Sequence, residues 1–300
     1  MAEMRRMCFL CSMRLALLLF ATWAWAGCDT APPADTVSTG GYRFDQPDEV
    51  WELPLPFAEI SDLCMLPNGS IAFVIDEIAT IYRFDPLSGT VVDSLHLPVA
   101  MDSEGLACIG DTNYILTGDG LLIRNTPDET DSLQTPFDHQ NNPEGLVQDP
   151  VTGNLLLTCK GKPLEGGKGR RMVYILQIDS SQAHPEPFIE ISTQEIARHP
   201  IGQQIKKSKG KGKNHDPIFR PSALGIQPGS GNLVILSAST QLIATYDRNA
   251  RLVDLQPLPK HLLPKAEGIC FAPDSTLYIS TEAGCKGCVP KIVAYHYRNP

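Results

Sequence analysis

Ala266-Glu267-Gly268-Ile269-Cys270-Phe271-Ala272 opens the last of five similar segments, and that segment decides the fold. It is followed by the turn Pro273-Asp274-Ser275 and a second apolar run, Leu277–Ser280. The same order occurs at Ile60-Ser61-Asp62, Ser103-Glu104-Gly105, Pro143-Glu144-Gly145 and Pro221-Ser222-Ala223. Their turns are Pro67-Asn68-Gly69, Gly110-Asp111-Thr112, Pro150–Asn154 and Pro228–Asn232. The central residues of successive phrases are 43, 40, 78 and 45 positions apart. Periods of about 40 to 45 with several short strands per repeat belong to propeller blades.

The first repeat predicts four strands: Ile60–Leu66, Ile71–Asp76, Ile81–Asp85 and Val91–Leu97. Its Asp85-Pro86-Leu87-Ser88-Gly89 turn supplies the fixed and positive φ values that a tight turn needs. The fourth repeat matches with Ala223–Gln227, Leu233–Ser237, Ala244–Asp247 and Leu252–Leu258. The long interval of 78 holds a 28-residue stretch, Ser192–Phe219, without alternating strands. Ser192-Thr193-Gln194-Glu195 is a capping-box pattern that starts a short helix, and the basic run Lys206–Lys213 reads as a loop. This is an insertion at about 192–219. The last repeat ends one strand short, and Glu49–Leu53 near the start supplies it, which protects edges that would otherwise be open. The reading is an all-β chain forming a single β-propeller over 42–300, five blades with six as the alternative.

Residues 1–27 stand apart from this fold. Arg5, Arg6 and Arg14 precede the apolar stretch Leu15–Ala21, and small residues follow, as in a secretory signal. Ala24-Trp25-Ala26 suits ordinary cleavage; Ala26-Gly27-Cys28 resembles a lipobox ending in a lipidated Cys28. The polar stretch 28–41 then reads as a tether. The expectation is an exported lipoprotein of the cell membrane or outer membrane, facing the periplasm or the cell surface.

Removing Arg5, Arg6, Arg14 and Glu3 from 25 basic and 34 acidic residues leaves 22 and 33, a net charge of −11. That balance opposes nucleic-acid binding. Nine cysteines become six without Cys8, Cys11 and Cys28. Cys64, Cys108, Cys159 and Cys270 fall in apolar strands and read as small core residues. Cys285-Lys286-Gly287-Cys288 reads as a loop-clamping disulfide in an exported chain, with metal and redox roles as alternatives.

The five phrases in this order, over roughly residues 55–297, resemble the SdiA-regulated family of bacterial envelope proteins. The resemblance implies an envelope β-propeller without a defined biochemical role. The Glu-Gly starts of inner strands are also similar to calcium-dependent propellers of the gluconolactonase and phytase types, where the likeness implies a metal at the central channel.

Inner strands line a propeller's axis, so Glu104, Glu144 and Glu267 converge on one channel mouth. Glu59 lies two residues before Ser61 and points to the same side of an extended chain. Asp76, Glu77, Asp119 and Glu282 end second strands, with Lys160 and Ser239 at nearby positions. Glu59, Glu104, Glu144, Glu267, Asp119 and Glu282 are therefore the candidate ligands of a calcium ion, which takes six to eight oxygens. The structural alternative has the glutamates bonding neighbouring blades and Lys160. No nucleophile elbow, H-E-x-x-H motif, phosphate loop or dinucleotide fingerprint is present. His139, His184, His199, His215 and His261 fall in loops, as does the Gly166–Arg171 run. The expected role is binding or scaffolding of an envelope ligand or protein; the alternative is a metal-dependent esterase, lactonase or phosphoesterase-like hydrolase.

Overall fold

The computed structural model describes residues 41–98, 102–165, 170–178, 185–208 and 219–298. Residues 1–40, which hold the expected signal, Cys28 and the expected tether up to Gly40, lie outside them, as do His184, Gly166–Gly169 and the basic stretch from Lys209 through His215.

The first strand, β1 (Glu49–Glu52), precedes the ring of blades. Blade 1 holds β2 (Ile60–Met65), β3 (Ile71–Ile75), β4 (Ile78–Asp85) and β5 (Thr90–His96). Blade 2 holds β6 (Ser103–Ile109), β7 (Thr112–Thr117), β8 (Leu121–Asn125) and β9 (Thr130–Gln134). Blade 3 is built from β10 (Pro143–Gln148), β11 (Leu155–Cys159), β12 (Arg170–Leu176) and β13 (Pro185–Ser192). The insertion follows as α1 (Thr193–Arg198) and α2 (Pro200–Ser208). Blade 4 comprises β14 (Ala223–Ile226), β15 (Leu233–Ser237), β16 (Leu242–Tyr246) and β17 (Leu252–Pro257). Blade 5 takes β18 (Ala266–Phe271), β19 (Leu277–Thr281) and β20 (Lys291–Tyr295), and β1 completes it. The result is five antiparallel four-stranded sheets, a five-bladed propeller; the six-bladed alternative falls.

Second strands such as Ile71–Ile75, Leu155–Cys159 and Leu233–Ser237 are buried at every position. Each blade is covered on both faces by its neighbours, so its middle reads as a continuous apolar run rather than an alternating one. The buried side chains form five clusters, one per interface. Val74, Ile81, Ile115 and Ile123 fill the joint between blades 1 and 2. Ile60, Phe73, Phe84 and Ile292 fill the one between blades 5 and 1.

Polar fasteners supplement these joints. Asp149, fully buried in the blade 3 turn, accepts from Arg248 of blade 4 at 2.9 and 2.8 Å. Ser222 Oγ donates to Ala266 O at 2.9 Å between blades 4 and 5, and Ser280 Oγ to Ser61 O at 3.0 Å between blades 5 and 1. β1 pairs with β20 from Glu49 opposite Ala294 to Glu52 opposite Lys291, which closes the ring. Cys64 and Cys108, expected as unbonded core residues, form a disulfide across blades 1 and 2 with Cα atoms 6.0 Å apart. They sit one repeat position apart on neighbouring inner strands, a proximity that only the ring creates. Cys285 and Cys288 are bonded too, while Cys159 and Cys270 are buried free thiols.

The insertion begins at Ser192, whose hydroxyl accepts from Glu195 N at 3.2 Å as an N-cap. The second helix was not expected: α2 carries regular backbone through Lys206-Lys207-Ser208, where the sequence reads as a loop.

On the axis lies Asp62, with no exposed surface. Its Oδ1 accepts from Leu63 N at 2.9 Å, and its Oδ2 accepts from Leu106 N at 3.0 Å and Leu146 N at 3.1 Å. Ile269 N is a further backbone donor to the same carboxylate. Four inner strands thus aim the same repeat position's N–H at one carboxylate. Burial pushes this carboxyl up to about 7, and the four N–H groups pull it down. Replacing Asp62 by Asn turns one acceptor oxygen into a donor facing other donors. Asp62→Asn should lower the unfolding free energy by about 3 kcal/mol in urea titrations at neutral pH. An unchanged midpoint would contradict the axial pin.

Candidate functional site

The glutamates of the repeated phrase reach the mouth because the inner strands are irregular there. In blade 2, Ser103 pairs with Thr117 and Gly105 with Leu116, which leaves Glu104 as the extra residue of a bulge. Blade 5 does the same, with Ala266 opposite Thr281, Gly268 opposite Ser280 and Glu267 unpaired. Bulges re-aim a side chain at the end of a strand. The glycine after each glutamate is required by close approach. A Cβ on Gly268 would lie 2.5 Å from Ser61 O, and one on Gly145, at φ +63°, would lie 2.8 Å from Leu224 N.

The mouth is layered. Asp62 lies deepest. One residue earlier along the strands stand Glu104, half-buried, with Glu144 and Glu267 almost wholly buried at 1 % and 5 % exposure. Lys160, which follows β11, enters this layer. Its Nζ is 2.6 Å from Glu144 Oε1 and 3.7 Å from Glu267 Oε2. Asn142 Nδ2 also donates to Glu144 Oε1 at 2.5 Å. On the blade 5 side, Lys265 Nζ lies 2.7 Å from Glu282 Oε2 and 3.5 Å from Glu267 Oε1. Glu59, Glu77, Asp102 and Asp119 are exposed at the rim, and Asp76 is half-buried beside them.

Charge divides this mouth into two sectors. In blades 3 and 5 the carboxylates of Glu144, Glu267 and Glu282 have lysine partners. Burial works to lower the Lys160 pKa, but Glu144 and Glu267 outweigh it, so the ammonium stays protonated. Burial pushes the Glu144 carboxyl well above its ordinary range, against the pull of Lys160. In blades 1 and 2, Asp76, Glu77, Asp102, Glu104 and Asp119 have no ion pair with a basic side chain among the described residues. Sharing a hydrogen bond with Asp76, together with burial and nearby charge, pushes Asp102 up to about 7. Burial pushes Glu104 up to about 8; Lys160 opposes the shift, and Asp102, Asp76 and Glu267 add to it.

Six residues were expected to surround a calcium ion. The structure brings Glu104, Glu144 and Glu267 together around Lys160, sets Glu282 beside Lys265, and leaves Glu59 and Asp119 at the rim. As placed, they do not fit a calcium ion. An ammonium group stands between Glu144 and Glu267, and among the described residues no three His, Cys, Asp or Glu side chains are grouped to hold a metal. Sequence reasoning missed Asp62, Asp102 and Lys265. For Asp62 the signal was present: it occupies the slot that holds Gly105, Gly145, Ala223 and Gly268 in the other repeats.

No family model matches the chain, and no curated protein does either. Solved structures do. Glutaminyl cyclase from Myxococcus xanthus aligns at 13 % identity and a TM-score of 0.55, over 84 % of this chain and 95 % of that one. A luciferin-regenerating enzyme aligns at 12 % identity and a TM-score of 0.52, with the same two coverages. Virginiamycin B lyase from Staphylococcus aureus aligns at 15 % identity over 81 % of this chain and 68 % of that one, with a TM-score of 0.45. At such identities the likeness is one of fold alone.

The raised pKa values fix a pH dependence. Glu104 binds its proton more tightly when folded, at about 8 against 4.5 when unfolded. Its contribution to stability is therefore complete below pH 4.5 and lost as pH rises through about 8. Asp102 acts with the same sign, lost as pH rises from 3.8 through about 7. Between mildly acidic and mildly alkaline pH the wild-type Tm should fall. Glu104→Gln should flatten that fall and melt higher at the alkaline end, by about 2–4 °C per kcal/mol relieved. Parallel melting profiles for the two proteins would show that Glu104 is not so perturbed.

Proposed function

We propose that this chain is an exported, lipid-anchored envelope propeller that binds its ligand rather than converting it. The ligand site is the acid sector of blades 1 and 2 at the channel mouth, and the ligand carries an organic cation. The supporting observation is the division of the mouth: Asp76, Asp102, Glu104 and Asp119 stand together with no ion pair to a lysine or arginine among the described residues, and only the field of Lys160 reaches Glu104. Crowded carboxylates in a partly desolvated mouth attract positive charge, and among the described residues no three of them are grouped to hold a metal ion. Among the described residues no histidine hydrogen-bonds or ion-pairs with a mouth side chain, so a base-activated nucleophile has no support there. The arginines before the apolar leader and the Ala26-Gly27-Cys28 sequence support export and lipidation. The Cys64–Cys108 and Cys285–Cys288 bonds are consistent with an oxidising compartment.

Isothermal titration of the purified protein with putrescine and spermidine tests the ligand class. Binding should strengthen from the diamine to the triamine, weaken with salt, and fall at least tenfold in Asp102→Asn with Glu104→Gln, about 1.4 kcal/mol. Absence of heat with both amines would remove the reading. A second reading has one observation behind it: Glu104 titrates near neutrality, as a general acid–base must. Turnover of an ester or lactone that Glu104→Gln abolishes would favour the hydrolase instead. The anchor has its own test. Labelled palmitate should enter the wild-type protein, and Cys28→Ser should release it to the soluble fraction; unchanged fractionation without label would exclude lipidation.

A further inference from the structure

The structure assigns to Lys160 the place of a central cation: its ammonium is a counter-ion covalently built into the channel mouth, which makes the glutamate layer independent of metal.

Three features of the chain carry this. The first is position. Lys160 Nζ lies 2.6 Å from Glu144 Oε1 and 3.7 Å from Glu267 Oε2, and its field also acts on Glu104. One ammonium thus serves the inner carboxylates of blades 2, 3 and 5, which is the task of an ion on the axis.

The second is construction. The loop that carries Lys160 is braced against residues 140–142, which lead into β10. Lys160 N donates to Asn142 O at 2.9 Å, Gly161 N to Asn141 O at 2.8 Å, and Lys162 N to Gln140 O at 2.9 Å. Asn141 Nδ2 donates to Lys162 O at 2.9 Å. Asn142 takes the left-handed conformation at φ +47°, and a Cβ on Gly161 would lie 2.2 Å from Gln140 O. Backbone held in such sparsely populated conformations persists where its surroundings over-determine it. Asn142 then turns its own amide onto Glu144, the carboxylate Lys160 holds.

The third is what remains unsatisfied. Glu267 is 5 % exposed, yet neither carboxylate oxygen accepts a hydrogen bond, since Lys160 and Lys265 stand at 3.7 and 3.5 Å. Its charge is balanced by the field of two ammoniums rather than by contact. Removing the Lys160 charge would therefore strand two almost fully buried carboxylates. They would have to protonate or take a cation from solution.

The experiment compares melting of the full protein in chelator, in millimolar calcium or magnesium, and in methylammonium, at constant ionic strength. Lys160→Met keeps the aliphatic stem and removes the charge. The wild-type Tm should be the same with calcium as with chelator. Lys160→Met should melt lower at neutral pH, by about 4 °C or more. It should regain much of that loss on mild acidification or on addition of calcium or methylammonium. Lys160→Arg should keep the wild-type indifference to calcium. If Lys160→Met does not fold, Lys160→Met combined with Glu144→Gln removes charge and counter-charge together. That pair should fold without calcium dependence, and its failure to fold would show that Lys160 acts by packing. A wild-type Tm raised by calcium would overturn the inference, as would a Lys160→Met protein that melts like wild type and ignores every cation. These outcomes are independent of amine binding at blades 1 and 2, so either reading can fail alone.

Discussion

A single buried carboxylate on the axis holds four of the five inner strands to one geometry. A closed ring of blades leaves inner-strand N–H groups pointing into a channel too narrow for ordinary pairing, and an unsatisfied buried N–H costs as much as a lost hydrogen bond. Asp62 answers from one side chain, accepting from Leu63, Leu106 and Leu146 and drawing on Ile269. Two consequences follow along the chain. The equivalent positions in the other blades must be nearly side-chain-free, which gives glycine at 105, 145 and 268 and alanine at 223. The residue just before is then the first with room for a long side chain, and in three blades it is a glutamate at the channel mouth.

Those glutamates create a second constraint. Glu144 and Glu267 are almost wholly buried, and desolvation of a carboxylate costs several kcal/mol. The chain meets this with Lys160, and with Lys265 further out, each taken from a segment adjoining a strand that is already fixed. The lysines form ion pairs in blades 3 and 5, and only the field of Lys160 reaches Glu104 of blade 2. They leave the carboxylates between blades 1 and 2 to raise one another's pKa values, up to about 7 for Asp102 and about 8 for Glu104. The polarity of the mouth is thus a product of which blades carry a lysine next to a mouth-facing strand end, Lys160 after β11 and Lys265 before β18.

Much of this is legible in residue order, and the limits have physical causes. The blade count follows from five phrases and a strandless interval, because strand periodicity and turn residues are local properties. Ring closure is legible because blade 5 lacks a fourth strand and Glu49–Leu53 is an orphan. Inter-blade contacts are harder to read. Cys64 and Cys108 look like core residues on strands 44 positions apart, and only the ring brings them to a Cα separation of 6.0 Å. Lys265 precedes a familiar phrase and looks like surface until blade 5 is folded. The glutamates suggest a metal site because their convergence is readable, whereas the position of one lysine ammonium among them depends on a loop conformation fixed by Asn142 and Gly161.

Blade 4 shows that the fold does not need acids at these positions. It carries Ser222 where its neighbours carry glutamate, and that hydroxyl donates to Ala266 O at 2.9 Å and accepts from Ala238 N at 3.2 Å. A neutral residue therefore closes the blade joint directly, with one hydrogen bond across it, a second within blade 4 and no charge to compensate. By comparison Glu104 is held with its carboxyl displaced from its ordinary range by burial and by its acidic neighbours, a state that weakens the domain as it ionises. Lysine pairing accounts for Glu144, Glu267 and Glu282, and the field of Lys160 in blade 3 reaches Glu267 of blade 5. It does not account for Asp76, Asp102 and Glu104, which oppose one another where a serine would serve. Strain of this kind at a mouth open to solvent is the physical ground of the proposed cation site on this side of the ring.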